Sequence, residues 1–532
     1  MTTFIRLLLE GNKASELRKT CIAIRSGKTD PKVFKVSPIS FRSVPGAPFA
    51  YWVSEAVRAI FKELPQFEDQ GRSVRQGMAT ADDFRFVRGW WEVDVDNERW
   101  PAFSKGGNYS AFYADLFLVG NWAEEGKEIK NFFDTKTGKL KSRPQGIEFY
   151  RRPGLTWPLR ARKFCPQVLP ADAVISVRGS GIYSDNLLFY LGLFSSKAVD
   201  LLLRMLSGRE GFPQYDMGDI SNLPLPTVPA EKTRELSQLA FRGWSLKRTL
   251  DSVNETSHAF FLPNIIRARS GDYHPSAIES ELADIHLQID NVAFELYGFS
   301  VEDRQAAEGV TEREAVTDED SGDADLPTDS PPLDALLSWV VGVVFGRFDL
   351  RLATGEREAP PEPNPFDPLP AKSPGMLPDG CEPYHRHAGI LIDDPGAEHD
   401  LPLLVEETLA RVDSPVDQDI RRWLRKDFFK YHLQQYSRSR RKAPIYWPLA
   451  TASGQYTLWV YCPVLTSQTL FTAVNDFVEP KLRDVQADLE TLRGTGTRRT
   501  SEQEKQLEAL AHLEDELAAL RETMLRIATD YR

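Results

Sequence analysis

The sequence runs to 532 residues, 41% hydrophobic and 27% charged, with a formal net charge of -12. That length exceeds what one hydrophobic core organises, and no apolar run approaches a bilayer span, so neither a single-domain protein nor a helical membrane protein fits. Cys21, Cys165, Cys381 and Cys462 stand singly, with no CxxC pair and no close histidines, which excludes a disulfide framework and a cysteine-built zinc site.

Residues 1–45 mix basic, Ser and apolar residues without a sustained period and are expected as a partly ordered lead-in. Met1 to Leu9 is followed by no small-residue cleavage site, so no secretory signal is read and the expected location is cytoplasmic. Tyr51, Val53, Val57, Ile60 and Phe61 recur at helical spacing, with Ser54 and Glu55 near the start and Pro65 beyond the end, and predict a helix. From Asp83 to Asp185, short apolar and aromatic runs alternate with Gly, Pro and Asn clusters, the pattern of strands and loops. Leu187 to Leu206 is apolar nearly all round and predicts one buried helix. The Pro-punctuated run Leu223 to Pro226 closes a mixed α/β domain over 46–226.

Residues 227–300 form a helical segment, with Leu236, Leu239, Ala240, Leu246 and Leu250 as its stripe. In 301–332, acidic residues, Ser, Thr, Gly and Pro displace almost every large apolar side chain, so a disordered linker is expected. A mixed extension covers 333–478. It opens with helical character to residue 350, continues as a Pro-rich strap from Ala359 to Pro378, and has its best strand at Tyr456 to Cys462. In 479–532, Leu482, Val485, Leu489 and Leu492 form one stripe, and Leu507, Leu510, Leu513, Leu517, Leu520, Met524 and Ile527 a second. They predict an antiparallel helical hairpin, with Ser501 and Glu504 capping the second arm. The expected class is α+β and multidomain.

Methylation of a base amino group needs a Gly-rich cofactor turn and an Asn/Asp/Ser-Pro-Pro-aromatic turn, whose carbonyls accept the amino hydrogens while the ring stacks on the base. Neither occurs; Asn364-Pro365-Phe366 is the nearest match and lacks the second proline. Asp115, Glu128 and Lys130 imitate a nuclease triad, a spacing that also arises by chance. Ser195-Ser196-Lys197 reads as a turn or helix start rather than a Ser-Lys pair, and His385 and His387, the closest histidine pair, read as a surface loop. No catalytic, cofactor-binding or metal-ligating residue is therefore assigned.

The negative total charge does not by itself exclude nucleic acid, because acidic residues gather in Glu302 to Asp329 and near the C-terminus while Arg421 to Lys442 is basic. Within Arg421 to Trp447, cations are interleaved with Trp423, Phe428, Phe429, Tyr431, Tyr436, Tyr446 and Trp447. Either the cations reach phosphates while aromatics pack, or the segment is a solvated amphipathic helix. Lys105 to Tyr113 (KGGNYSAFY), Ser142 to Gln145 (SRPQ) and Arg178 to Tyr183 (RGSGIY) combine glycines with Arg, Asn and Gln, the side chains that pair with guanine and adenine edges. Ordinary turns are the competing reading.

Longer runs carry a resemblance. FAYWVSEAVRAIFKELP (Phe49 to Pro65), DDFRFVRGWWEV (Asp82 to Val93), FSKGGNYSAFYADLFLVGNW (Phe103 to Trp122), EIKNF (Glu128 to Phe132), SRPQ and GLTWP (Gly154 to Pro158) follow one another in a recognisable order. RGSGIY, LGLFSSKAV, GDISNLPLP (Gly218 to Pro226), FGRFDLRLATGE (Phe345 to Glu356), PFDPLPAKSPGML (Pro365 to Leu377), KDFFKYHLQQYSRSRRKAPIYW and NDFVEPKL (Asn475 to Leu482) continue it. Together they resemble the target-recognition part and C-terminal extension of PglX-like adenine-N6 DNA methyltransferases, found in type IIG restriction-modification, BREX and DISARM phage-defence systems.

The resemblance implies that 46–226 is a specificity domain and that the rest helps embrace the duplex. It makes EIKNF a structural element and not part of a nuclease. Family members carry a methyltransferase domain with the cofactor loop and NPPY turn ahead of this region, and both motifs are absent here. The expected role is sequence-specific binding of double-stranded DNA beside a catalytic methyltransferase subunit that holds S-adenosylmethionine. Base reading is expected from Lys105, Asn108, Tyr109, Arg143, Gln145, Arg178 and Ser180, and backbone contact from Arg438, Arg440, Arg441, Lys442 and Trp447. An autonomous methyltransferase or nuclease with an unrecognised site, and a scaffold gripping other defence-system proteins through the hairpin, are the alternatives.

Overall fold

A computed structural model describes residues 1–7, 10–69, 71–94, 98–107, 109–208, 213–271, 273–311, 331–438, 441–496 and 499–530. The architecture is α+β. The opening residues are more regular than their composition suggests: Thr2–Ile5 pairs antiparallel with Val33–Val36, Phe4 opposite Phe34, across the helix Lys13–Arg25. The reason is aromatic, since Phe4 stacks on Tyr51 at 4.7 Å and Arg6 lies 4.4 Å over Trp52, contacts that no local period reveals. The helix Glu55–Glu63 follows, its first turn capped by the Ser54 hydroxyl.

Two small sheets fill 73–183. One orders Ser73–Arg75, Gly181–Tyr183, Gly154–Thr156 and Gln167–Leu169, all antiparallel. The other orders Val87–Gly89, Leu118–Gly120, Ala102–Ser104 and Ala173–Ile175, the last pair parallel with Phe103 opposite Val174. The hydroxyls of Ser104 and Thr156, 2.8 Å apart, tie the sheets together. Beyond them, the apolar run expected as one helix is two, Leu187–Phe194 and Lys197–Ser207. Ser195 and Ser196 turn their hydroxyls onto the Leu191 and Leu193 carbonyls, and Ser196 then caps the second helix, which is how polar side chains break an otherwise continuous apolar segment.

The core of this region continues past Pro226. Leu191, Leu203, Leu236, Ala240, Ile289 and Ala293 bury into one cluster, so the helices Ala230–Asp251 and Pro275–Leu296 share it. Gly192 approaches so closely that a Cβ there would sit 2.7 Å from the Leu236 carbonyl oxygen. Of the segment expected as a disordered linker, Val301–Thr311 is helical. Ser300 and Asp303 cap it reciprocally at 2.9 to 3.2 Å, Arg304 covers Phe294, and Ala307 is buried. Residues 312–330 of that segment lie outside the described residues.

The helix Pro332–Val344 anchors a second core with Trp339, Trp423, Phe428 and Tyr446. Trp90 and Trp91 leave the sheets to join it, donating to the Thr256 and Ala443 carbonyls at 2.8 and 2.9 Å. A three-stranded antiparallel sheet, Ile390–Asp393, Thr457–Tyr461 and Tyr446–Ala450, backs this core. Leu391, Trp459 and Tyr461 face the helix, whereas Ile390, Ile392 and Leu458 face the C-terminal hairpin, the alternation a strand imposes. That hairpin, Glu479–Gly494 and Ser501–Asp530, packs Leu482, Val485 and Leu489 on Leu513, Leu517 and Met524. Its capping box is Thr500 with Gln503, one residue ahead of the expected pair. Among the described residues no helix is long and apolar enough to cross a membrane.

Candidate nucleic-acid interface

The extended segment Gln76 to Asp83 gathers the three loops expected to read bases. On one side Met78 donates to the Ile175 carbonyl at 2.9 Å and accepts from Val177. On the other, Ala79 and Arg143 exchange backbone bonds of 3.0 and 2.9 Å. At its end Asp83 receives the Lys105 ammonium. The close fit needs glycine at two points: a Cβ on Gly77 would lie 2.0 Å from the Ile175 oxygen, and one on Gly179 would lie 2.3 Å from the Ser104 hydroxyl. The loops therefore share one edge, with a concavity of about 320 Å3 lined by Thr80, Asp83, Lys105, Ser176 and Arg178.

Arg143, Gln145 and Arg178 are exposed on that edge. Lys105 is half-buried against Asp83; burial works against the carboxylate, but the hydrogen bonds from Lys105 and Thr80 outweigh it and hold Asp83 below its usual range. Ser180 is buried beneath the loop, and Tyr109 turns inward against the first core with Arg162 at 4.9 Å from its ring. Burial drives the Tyr109 phenol far up, so it serves as a wall and not as an acid. Asn108 lies outside the described residues. Two participants were missed in the sequence, Thr80 and Asp83; no local pattern marks them, because their role arises from the tertiary approach of Lys105.

The basic aromatic segment differs from its expected arrangement. Arg438 is 3% exposed, 4.2 Å over Phe117, and donates to the Thr256 hydroxyl and the Gln435 carbonyl. Arg441 is bonded to Glu92. Arg438 presents no guanidinium to solvent, and that of the partly exposed Arg441 is held by Glu92; partners far away in sequence claim both. Arg440 lies outside the described residues, while Lys442 is exposed and Trp447 is 46% exposed beside Phe429. Further free cations of the segment lie earlier. Arg422, Lys426 and Lys430 are exposed at four-residue intervals along the helical run Ile420 to Gln435, and none forms an ion pair among the described residues. That spacing was legible in the sequence as one helical face. Arg421 and Arg425, by contrast, are bonded to Asp393 and Asp400.

Between these regions runs a cleft of about 850 Å3, walled by Lys105, Gly106, Tyr109 and Tyr113 to Leu118, by the end of the helix Ala230–Asp251 with its exit, and by Tyr431, Gln435 and Arg438. The exit segment is polar yet buried. His258 is bonded through its backbone and ring nitrogens to Asp115 at 3.0 Å, and Glu255 accepts from the Ser338 hydroxyl at 3.0 Å. Burial pushes Asp251 up to about 6, helped by the nearby Asp115 charge, and pushes Glu255 up to about 7 against the opposing Ser338 and Arg347.

The remaining chemical look-alikes dissolve into structure. Asp115 is engaged with His258, Glu128 binds Arg85 and Asn121, and Lys130 covers Trp122. Asn364 binds Asp367, and the Phe366 carbonyl accepts from Ala171, fastening the Pro-rich strap to the sheets. Lys197 pairs with Asp290 at 3.3 Å, and the Ser195 and Ser196 hydroxyls are turned onto backbone carbonyls. His385 bonds Thr408 and His387 bonds the Val344 carbonyl, and among the described residues no three His, Cys, Asp or Glu side chains could hold a metal.

No family model matches the sequence. Two relatives do. Adenine-specific methyltransferase PglX of Lacticaseibacillus casei (strain Zhang) is 24% identical over 548 residues, covering 93% of this chain and 44% of the relative. The chain is similar to this relative along nearly all of its own length. Adenine-specific methyltransferase BrxX of Escherichia coli O9:H4 (strain HS) is 22% identical over 504 residues, covering 85% of this chain and 40% of the relative. The chain thus spans less than half the length of the relatives it matches, and what it matches includes both the loop edge and the helical run with its basic face.

Proposed function

We propose that this chain grips and reads double-stranded DNA for site-specific adenine-N6 methylation in a BREX, DISARM or restriction-modification system, while another polypeptide or segment supplies the methyl-transfer pocket and its S-adenosylmethionine. The observation that carries the reading is the convergence of the Lys105, Arg143 and Arg178 loops on one edge. Arg143, Gln145 and Arg178 contact base edges, Ser180 shapes the loop from beneath, and the turn at Gly106 and Gly107 gives the backbone close access. Lys442, Trp447 and Arg440, joined by Arg422, Lys426 and Lys430, meet the phosphates. Support for a catalytic partner is the size and name of the relatives, together with exposed Leu17, Ile22, Ile39 and Phe49, apolar side chains that suit a protein contact. Other defence-system proteins are further partners, and the working compartment is the cytoplasm.

Fluorescence anisotropy of labelled duplex across a salt series tests this. Binding that weakens linearly in log salt is expected. A flat response, or no binding even with the methyltransferase subunit present, refutes it.

A further inference from the structure

The cleft of about 850 Å3 behind the Gly106 and Gly107 turn falls in the range of small-ligand sites, roughly 300–1,000 Å3. Three of its carboxyls are already engaged within the fold, Asp115 with His258, Asp251 with Ser257 and Asn254, and Glu255 with Ser338, while a fourth, Glu279, is exposed at the rim. Lys247, on the helix Ala230–Asp251, is different. It lines the cleft and forms no ion pair among the described residues. Burial pulls its pKa down, while Asp251 and Glu279 oppose that from further away. A partly desolvated ammonium without a partner is unfavourable until an anion meets it. The rings of Tyr109, Phe117 and Tyr431 line the same cleft.

We propose that this cleft binds one nucleotide unit, its phosphate on the Lys247 ammonium and its base against the rings of Tyr109 and Tyr431. Aromatic rings hold a heterocycle by stacking, about 1–3 kcal/mol per base. The acidic residues around the cleft disfavour a second phosphate, which limits the ligand to one. The unit is either a free mononucleotide or one residue of a single strand. Lys247 takes no part in the duplex-reading surface, so the proposal stands apart from that role.

Isothermal titration of the full chain with dAMP, dCMP, dGMP and dTMP, with four-residue single-stranded oligonucleotides and with inorganic phosphate tests it. Duplex anisotropy measured in parallel reports separately on duplex recognition. Binding of one mononucleotide or oligonucleotide at a 1:1 ratio is expected, weakened at least about tenfold by Lys247→Met while duplex binding is unchanged. Mononucleotide binding identifies a free ligand; binding of oligonucleotides alone identifies a strand. No binding by any nucleotide probe, or equal affinity in Lys247→Met, overturns the proposal. Should Lys247→Met fail to fold, photo-crosslinking of 5-iodo-dUMP and 8-azido-AMP to the wild-type chain decides: adducts on Tyr109 or Tyr431 support the site, and no adduct there overturns it.

Discussion

Arg441 and Glu92 lie 349 residues apart and meet in a two-pronged ion pair, Nε and Nη2 reaching the carboxylate at 2.6 to 2.9 Å. The pair stands beside Trp91, whose indole donates to the Ala443 carbonyl, so charge and aromatic packing together fasten the C-terminal extension to the sheets. Glu92 also accepts from the Gly89 backbone at 2.6 Å, a second bond that holds the carboxylate in place for the arginine.

Arg441→Ala is therefore expected to act on stability and not on DNA affinity. With both partners partly exposed, the loss is set at about 1–2 kcal/mol, below the value for a fully buried charged bond. Urea unfolding followed by tryptophan fluorescence measures it. A variant with wild-type stability and a shallower salt dependence of duplex binding would return Arg441 to the phosphate-contacting set.

Legibility followed the range of the interactions. The hairpin, the strand Thr457–Tyr461 and the helix Glu55–Glu63 rest on apolar periods within a dozen residues, and the sequence exposes such periods directly. The loops of Lys105, Arg143 and Arg178 were recognisable as loops, but their meeting depends on Gly77 and Ala79 pairing with distant segments. Arg438 and Arg441 read as free cations because Thr256 and Glu92 are invisible to any window around them. The break at Ser195 and Ser196 was hidden for a different reason: apolar residues surround it, and only the hydroxyl bonds to backbone carbonyls end the first helix.

Replacing Arg422, Lys426 and Lys430 together with Gln should reduce the slope of log affinity against log salt by roughly one unit for each phosphate no longer neutralised, up to about three. Preference among duplex sequences should stay as it was, since backbone contacts carry no base information. An unchanged slope would remove this helical face from the interface.

The opposite split is expected at the loop edge. Arg143→Ala, Gln145→Ala and Arg178→Ala should each cost about 1–3 kcal/mol of discrimination while leaving non-specific binding intact. Selection from a random duplex pool, followed by competition between the selected and a scrambled duplex, measures the ratio. Equal loss on both duplexes would make these side chains positioning groups.

Gly77→Ala should prevent the loops from assembling, because its Cβ would fall 2.0 Å from the backbone oxygen of Ile175, which cannot swing aside as a side chain would. Protease susceptibility of 76–83 and 140–146 should rise, and duplex selectivity should fall with it. A stable variant with full selectivity would show that the edge is not held by this contact.

The buried carboxyls give the junction a pH dependence whose sign is fixed by their direction of shift. Glu255 goes from 4.5 to about 7 and Asp251 from 3.8 to about 6 on burial, so the native chain keeps protons that the unfolded chain has already released. Their contribution is most favourable below the unfolded values and is lost as pH rises through about 6 to 7; for Glu255 alone the shift corresponds to about 3 kcal/mol. Glu255→Gln retains an acceptor for the Ser338 hydroxyl without a charge to desolvate. It should therefore flatten the fall in urea midpoint between roughly pH 5 and pH 8 and raise stability at the upper end. If the midpoint of the variant falls as steeply as that of the wild type, the ionisation governing the junction belongs to another group, and Asp251→Asn becomes the discriminating comparison.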